Sequence, residues 1–127
     1  MKQWATSIFA ATLVVEDLAA AKAFYLNAFA LPVVFEDANS AVFKIGETMI
    51  NLLAASAAPE LFAPEHVAPR TAGSRVVFSI SVPDVDALCA ELTGRGVHLI
   101  SGPMDRPWGI RTASFQDPAG HIWEIAK

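Results

Sequence analysis

A chain that repeats itself must fold into units that pair or stack, and this sequence repeats at an interval of 67 residues. Shifted by that interval, Leu13 falls on Ile80, Val15 on Val82 and Asp17 on Asp84. Leu18 falls on Val85, Ala20 on Ala87 and Ala23 on Ala90. The matches take in apolar strand positions, a candidate helix cap and the helix after it, so structure is repeated and not only composition. At 127 residues, the two copies together make one domain of ordinary size.

Each copy starts with a strand and a helix. Ile8–Val15 is β-branched and apolar and reads as a strand. Asp17 can cap the amides of the next turn, and Leu18, Ala21, Tyr25 and Ala28 recur at helical spacing, predicting a helix over 18–29 that Pro32 closes off. Short strands follow at Val33–Glu36, Ala41–Ile45 and Thr48–Leu53, with turns at Asp37–Ser40 and Gly46-Glu47. The second copy has a strand at Val76–Val82, the cap Asp84 and a helix over 85–95 that ends at Gly94 and Gly96. Strands then fit His98–Ile100, Arg111–Gln116 and His121–Ile125, with a Pro-flanked loop from Gly102 to Gly109 and a last turn at Asp117–Gly120. The fold class is α+β: two tandem βαβββ modules, at 6–54 and 75–127, joined by a linker at 55–74. The linker holds Pro59, Pro64 and Pro69, with room for one helical turn at Pro59–Phe62. Leu61, Phe62 and Val67 make it too apolar for a free tether.

Charge and composition narrow the function. Nine basic and thirteen acidic side chains give a net charge of −4 with no basic cluster, which argues against nucleic acid. The 54% hydrophobic content excludes a disordered chain, and no apolar run reaches the ~20 residues of a membrane span. Lys2, Gln3 and Trp4 do not begin a secretory signal, and the single Cys89 fits a reducing compartment, so the expected location is the cytoplasm. Neither a Gly-rich phosphate loop nor a G-x-S-x-G nucleophile motif is present.

Three stretches carry a resemblance. They are Leu13-Val14-Val15-Glu16-Asp17-Leu18 leading into Ala23-Phe24-Tyr25, its echo Ile80–Val85, and Trp108-Gly109-Ile110-Arg111 followed by Phe115–Ile125. Together they resemble the vicinal oxygen chelate, or glyoxalase/bleomycin-resistance/dioxygenase, superfamily, with its WGxR and DPxGxxxE patterns. The resemblance implies curled mixed sheets around a cavity and a homodimer. In the family's enzymes it implies a divalent metal held by His and Glu on the first and last strand of each module. By that register the four ligand positions are Ala10, Asn51, Val77 and Glu124. Ala10 and Val77 have no donor atom, and Glu124 alone is an ordinary ligand. His66, His98 and His121 do not replace what is missing, since His121 alternates to the face opposite Glu124.

The expectation is therefore no cofactor, and a closest likeness to the metal-free bleomycin-resistance branch, where antibiotic resistance comes from sequestering a small organic ligand. Strand alternation nominates Thr12, Met49, Asn51, Ser79 and Glu124 as lining, with Trp108 for stacking and Arg111 for an anionic group or for pairing with Glu124 or Asp117. The same alternation turns Phe9, Leu13, Val15, Ile50, Leu52, Phe78, Ile80 and Val82 toward the helices. Two alternatives stay open: a metal-dependent glyoxalase-type lyase or ring-cleaving dioxygenase, and a metal-independent acid–base enzyme using Glu124.

Overall fold

Asp17 and Asp84 open two helices in the same way. In each case Oδ1 accepts the amide N–H three residues on, from Ala20 or Ala87, at 3.0 Å. That satisfies one of the donors a first helical turn leaves unpaired. The computed structural model describes residues 2–127. The chain runs β1 (Ala10–Val15), α1 (Leu18–Phe29), β2 (Phe35–Glu36), β3 (Ser40–Ile45) and β4 (Thr48–Ala54). It continues through the short α2 (Pro59–Phe62) and a 3₁₀ turn (Arg70–Ala72). The second series is β5 (Val77–Ser81), α3 (Val85–Gly94), β6 (Leu99–Asp105), β7 (Arg111–Gln116) and β8 (Ile122–Ala126). Two compact units result, one reaching Val67 and one spanning Ala68–Lys127.

Each unit has an open four-stranded mixed sheet, ordered β1-β4-β3-β2 in the first and β5-β8-β7-β6 in the second. The first strand lies parallel to the last, and the other pairings are antiparallel. This is the expected βαβββ module, with α1 and α3 within a residue of the predicted spans. In unit one Ala21, Tyr25 and Ala28 of α1 are buried with Leu13, Val15, Phe43, Ile50 and Leu52. The Tyr25 ring stacks on Phe29 with centroids 5.6 Å apart. In unit two Val85, Cys89 and Leu92 of α3 are buried with Ala113, Phe115, Trp123 and Ile125.

Two expectations need correction. β1 starts at Ala10 and leaves Phe9 75% exposed, because Phe9 lies at the end of the ladder, where only its carbonyl is bound, by the Met49 amide. The second β-strand of unit two does not stop at Ile100. It continues to Asp105 as a bulged edge strand, with register shifts on both sides of Ser101. Gly102 permits this. At φ +85° it passes so close to β7 that a Cβ would collide with the Thr112 carbonyl and come 2.9 Å from Ala113 Cα. Pro103, with no N–H to donate, is tolerated at that irregular edge. The linker, too apolar for a free tether, does pack: Phe62 is half-buried inside unit one. It packs with Val14 and Val67 on Leu53, Ala57 and Ala58.

Candidate functional site

The face of each sheet turned away from α1 or α3 is set by ladder register. In unit one Thr12 lies opposite Asn51, which lies opposite Val42 and, beyond it, Phe35. In unit two the corresponding row is Ser79, Glu124, Ser114 and Ser101. Directly opposed residues point to the same face, so each row is a line of neighbouring side chains. The first-strand members are 67 residues apart and the last-strand members 73, the difference being taken up by the longer β6–β7 hairpin.

Both rows contain a hydrogen bond at their start. Asn51 Nδ2 donates to Thr12 Oγ1 at 3.4 Å, and Ser79 Oγ donates to Glu124 Oε1 at 2.8 Å. The second is short, as expected for a hydroxyl on a carboxylate. Asn51 Oδ1 is buried and, among the described residues, finds no hydrogen-bond donor. A buried acceptor without a partner is uncommon in a native fold and marks a place for an incoming donor.

Of the nominated residues, Thr12, Asn51 and Met49 meet on unit one's face, with Met49 opposite Ala10 one step along the ladder. Ser79 and Glu124 meet on unit two's. Trp108 stands 68% exposed at the tip of the β6–β7 hairpin. Arg111 does not join them. It sits on the helix side of β7 and donates Nε and Nη2 to the two oxygens of Asp86 at 2.9 Å, and Nη1 to Asp105 at 3.1 Å. Its partners are therefore neither Glu124 nor Asp117. The hydrogen bonds from Arg111 hold the Asp86 carboxyl below the usual aspartate range, and Asp86 and Asp105 hold Arg111 above its own. Asp117 is fully buried in the last turn, where it accepts from the amides of Ala119 and His121 and contacts His121 Nδ1 at 2.8 Å. Cys89 is buried on the inner side of α3 with its thiol pushed up by burial, which makes it a poor nucleophile.

Three side chains on unit two's face escaped the sequence reading. Thr112 and Ser114 alternate onto the Glu124 side of β7, a placement that the alternation of Arg111–Gln116 already contained. Arg106 follows β6 and lies over them: Nε donates to Thr112 Oγ1 at 2.7 Å, and Nη2 to Ser101 Oγ at 3.4 Å.

The donor set does not suit a transition metal. Unit one offers an amide at Asn51 beside Ala10, and unit two a carboxylate at Glu124 already bonded to Ser79 beside Val77. Among the described residues no three His, Cys, Asp or Glu side chains are grouped to hold a metal ion. Zinc, iron and manganese sites in proteins need three or four such donors.

The sequence model of the Glyoxalase/Bleomycin resistance protein/Dioxygenase superfamily matches residues 7–125. No curated protein matches the chain. Among solved structures, a glyoxalase/bleomycin resistance protein/dioxygenase from Nocardioides superposes with a TM-score of 0.87 at 24% identity, covering 98% of this chain and 85% of that one. A glyoxalase-related enzyme from Fulvimarina pelagi gives 0.83 at 24% identity, over 96% and 88% of the two chains. A lactoylglutathione lyase from Agrobacterium tumefaciens gives 0.78 at 24% identity, over 96% and 93%. These likenesses establish the fold. No described helix is long and apolar enough to cross a membrane.

Proposed function

The chain belongs to the glyoxalase/bleomycin resistance protein/dioxygenase superfamily, and on that footing we propose that it is a metal-free small-molecule-binding protein. In this reading it works as a homodimer and holds a drug or metabolite by affinity alone. The observation that carries the reading is the make-up of the two equivalent ladder pairs. Thr12–Asn51 and Ser79–Glu124 supply a few fixed polar groups, while Ala10 and Val77 beside them supply apolar wall. Pockets for organic ligands combine those elements. The unpartnered Asn51 Oδ1 adds an acceptor that a ligand N–H or O–H would satisfy. Dimerisation draws support from apolar side chains left exposed on both units, Ile8, Phe9 and Phe35 on one and Val76, Val77 and Ile100 on the other.

A catalytic reading also has an observation behind it. Glu124 is half-exposed, its Oε1 is fixed by Ser79, and among the described residues Oε2 has no hydrogen-bond donor, the placement a general base requires. The neighbour from Agrobacterium, a lactoylglutathione lyase by name, keeps turnover in the test.

Elemental analysis of the purified protein is expected to give far less than one transition metal per chain. A thermal-shift screen is expected to return small organic ligands that raise the melting temperature in proportion to ln(1 + [L]/Kd). Hits should be recovered unchanged after incubation, and Glu124→Gln should still bind them. Stoichiometric metal lost in Glu124→Gln would overturn the proposal. Conversion of a hit abolished by the same substitution would replace binding with catalysis.

A further inference from the structure

Unit two carries two half-buried arginines whose charges are answered in opposite ways. Arg111, on the helix side, is matched by the carboxylates of Asp86 and Asp105. Arg106, on the Glu124 side, bonds through its side chain to the hydroxyls of Thr112 and Ser101 and, among the described residues, has no carboxylate within ion-pair distance. A guanidinium that has given up part of its hydration to neutral partners lacks the counter-charge that normally offsets the cost.

We infer that Arg106 recognises the carboxylate of a small organic acid with an apolar body, an inference that rests on the small-molecule-binding reading above. A guanidinium has five N–H groups in a rigid plane, and the two bonds to Thr112 and Ser101 use one on Nε and one on Nη2. The Nη1 side stays uncommitted, and paired N–H groups on such an edge match the two oxygens of a carboxylate. The group is also held in advance. The Arg106 amide donates to the Ile110 carbonyl at 2.7 Å, and its carbonyl accepts from Gly109 at 3.0 Å, so the backbone is clamped on both sides.

The surroundings point to the rest of the molecule. Met104 lies opposite Thr112 on the same face and is 41% exposed, and Trp108 stands two residues beyond Arg106. Met104 offers apolar surface beside the Arg106 partner Thr112, and Trp108 offers more at the tip of the same hairpin. Glu124 lies further along the row, past Ser114, and repels an anion placed at its end. The acid therefore enters with its carboxylate over β6 and β7 and its neutral end toward β5.

The test uses matched probes on the isotope-labelled full chain at low salt and neutral pH: benzoate against benzamide, and 2-naphthoate against 2-naphthamide, followed by NMR titration. The carboxylates are expected to bind about tenfold or more tightly than their amides, and to shift Ser101, Met104, Thr112 and Ser114. Arg106→Gln should remove that preference, Arg106→Lys should restore part of it, and added salt should weaken the carboxylates alone. The wild-type comparison decides the question even if a variant misfolds. Equal affinity of acid and amide, shifts confined to other residues, or no carboxylate binding at tens of millimolar would each overturn the assignment. Binding of the amides alone would leave the small-molecule reading in place and remove only Arg106's role. Stoichiometric metal would instead remove the reading beneath it.

Discussion

At the row joining first and last strands, unit one places Thr12 beside Asn51, and unit two places Ser79 beside Glu124. One ladder step away the contrast sharpens. Ser40, opposite Leu53, donates its hydroxyl to Asp37 at 3.0 Å, whereas Thr112, opposite Ala126, accepts from Arg106. The two units thus share capped helices, strand order and parallel register, and differ in what stands on the face away from α1 and α3. The first has an amide, Val42 and Phe35; the second has a serine row, a carboxylate and a cation. Duplicated architecture constrains the buried face, because Leu13 and Leu52 must pack under a helix as Ile80 and Ile125 do. The other face carries no counterpart of that shared packing, Val14 and Leu53 meeting Phe62 there in unit one, so recognition chemistry can diverge along the rows without loss of the fold.

The strongest way to break that account is to truncate equivalent core residues. Leu52 and Ile125 are fully buried and hold the same ladder position, opposite Leu13 and Ile80. Leu52→Ala and Ile125→Ala should each cost about 2–5 kcal/mol, since deletion removes burial and leaves a cavity. Urea titration measures both. A cost below 1 kcal/mol for one would show that its unit is not packed as its counterpart is.

Next in size come the caps. Asp17→Ala and Asp84→Ala each remove one carboxylate–amide bond of 3.0 Å and should each cost about 1 kcal/mol. Equal losses in melting experiments would support matched helices. A loss at only one position would mean that a cap is present in geometry without contributing to stability.

These matched features were legible in the sequence because they are local. A cap followed by a 3.6-residue apolar period fixes helix position within a few residues of chain, and α1 and α3 fell where that pattern placed them. β6 was not legible past Ile100, since Gly102 and Pro103 read as loop residues and only their approach to Thr112 and Ala113 makes them a bulge. The motif that contains Arg111 says nothing of the face it takes. The alternation through Ala113 and Phe115 puts it on the helix side, beside Asp86. Arg106 carried no sequence signal, because its partners Ser101 and Thr112 are set by a bulged register.

A smaller effect separates the units in acid. Asp37 is held below the usual aspartate range by the Asn39 amide and Ser40, and Asp86 by Arg111. A depressed carboxyl contributes stability above its unfolded pKa, and that contribution is lost as pH falls through the lower folded value. Both units should therefore weaken below the ordinary aspartate range. Only Asp86 depends on an exposed ion pair, so 0.5 M salt (about a 4 Å screening length) should raise its titration midpoint and leave that of Asp37 in place. Carboxyl-carbon NMR titration distinguishes the two. Equal salt responses would contradict the assignment.

The smallest expected effect lies where the helices end. α3 finishes through Gly96 at φ +85°, with the Val97 amide reaching back to the Leu92 carbonyl, a left-handed exit suited to a residue without Cβ. α1 makes the same kind of exit through Ala30 at φ +55°, its amide bonded to Leu26 at 3.1 Å. A Cβ in that region crowds the following carbonyl, a strain of about 1–2 kcal/mol, while glycine at the same place gives up about 0.4–1 kcal/mol through the looser unfolded chain. Ala30→Gly should thus stabilise by about 0.5 kcal/mol, and Gly96→Ala should destabilise by a similar amount or somewhat more. Opposite signs in paired thermal melts would show that the two exits are one device filled by different residues. Destabilisation by Ala30→Gly would mean that the Ala30 methyl makes packing contacts worth more than its strain.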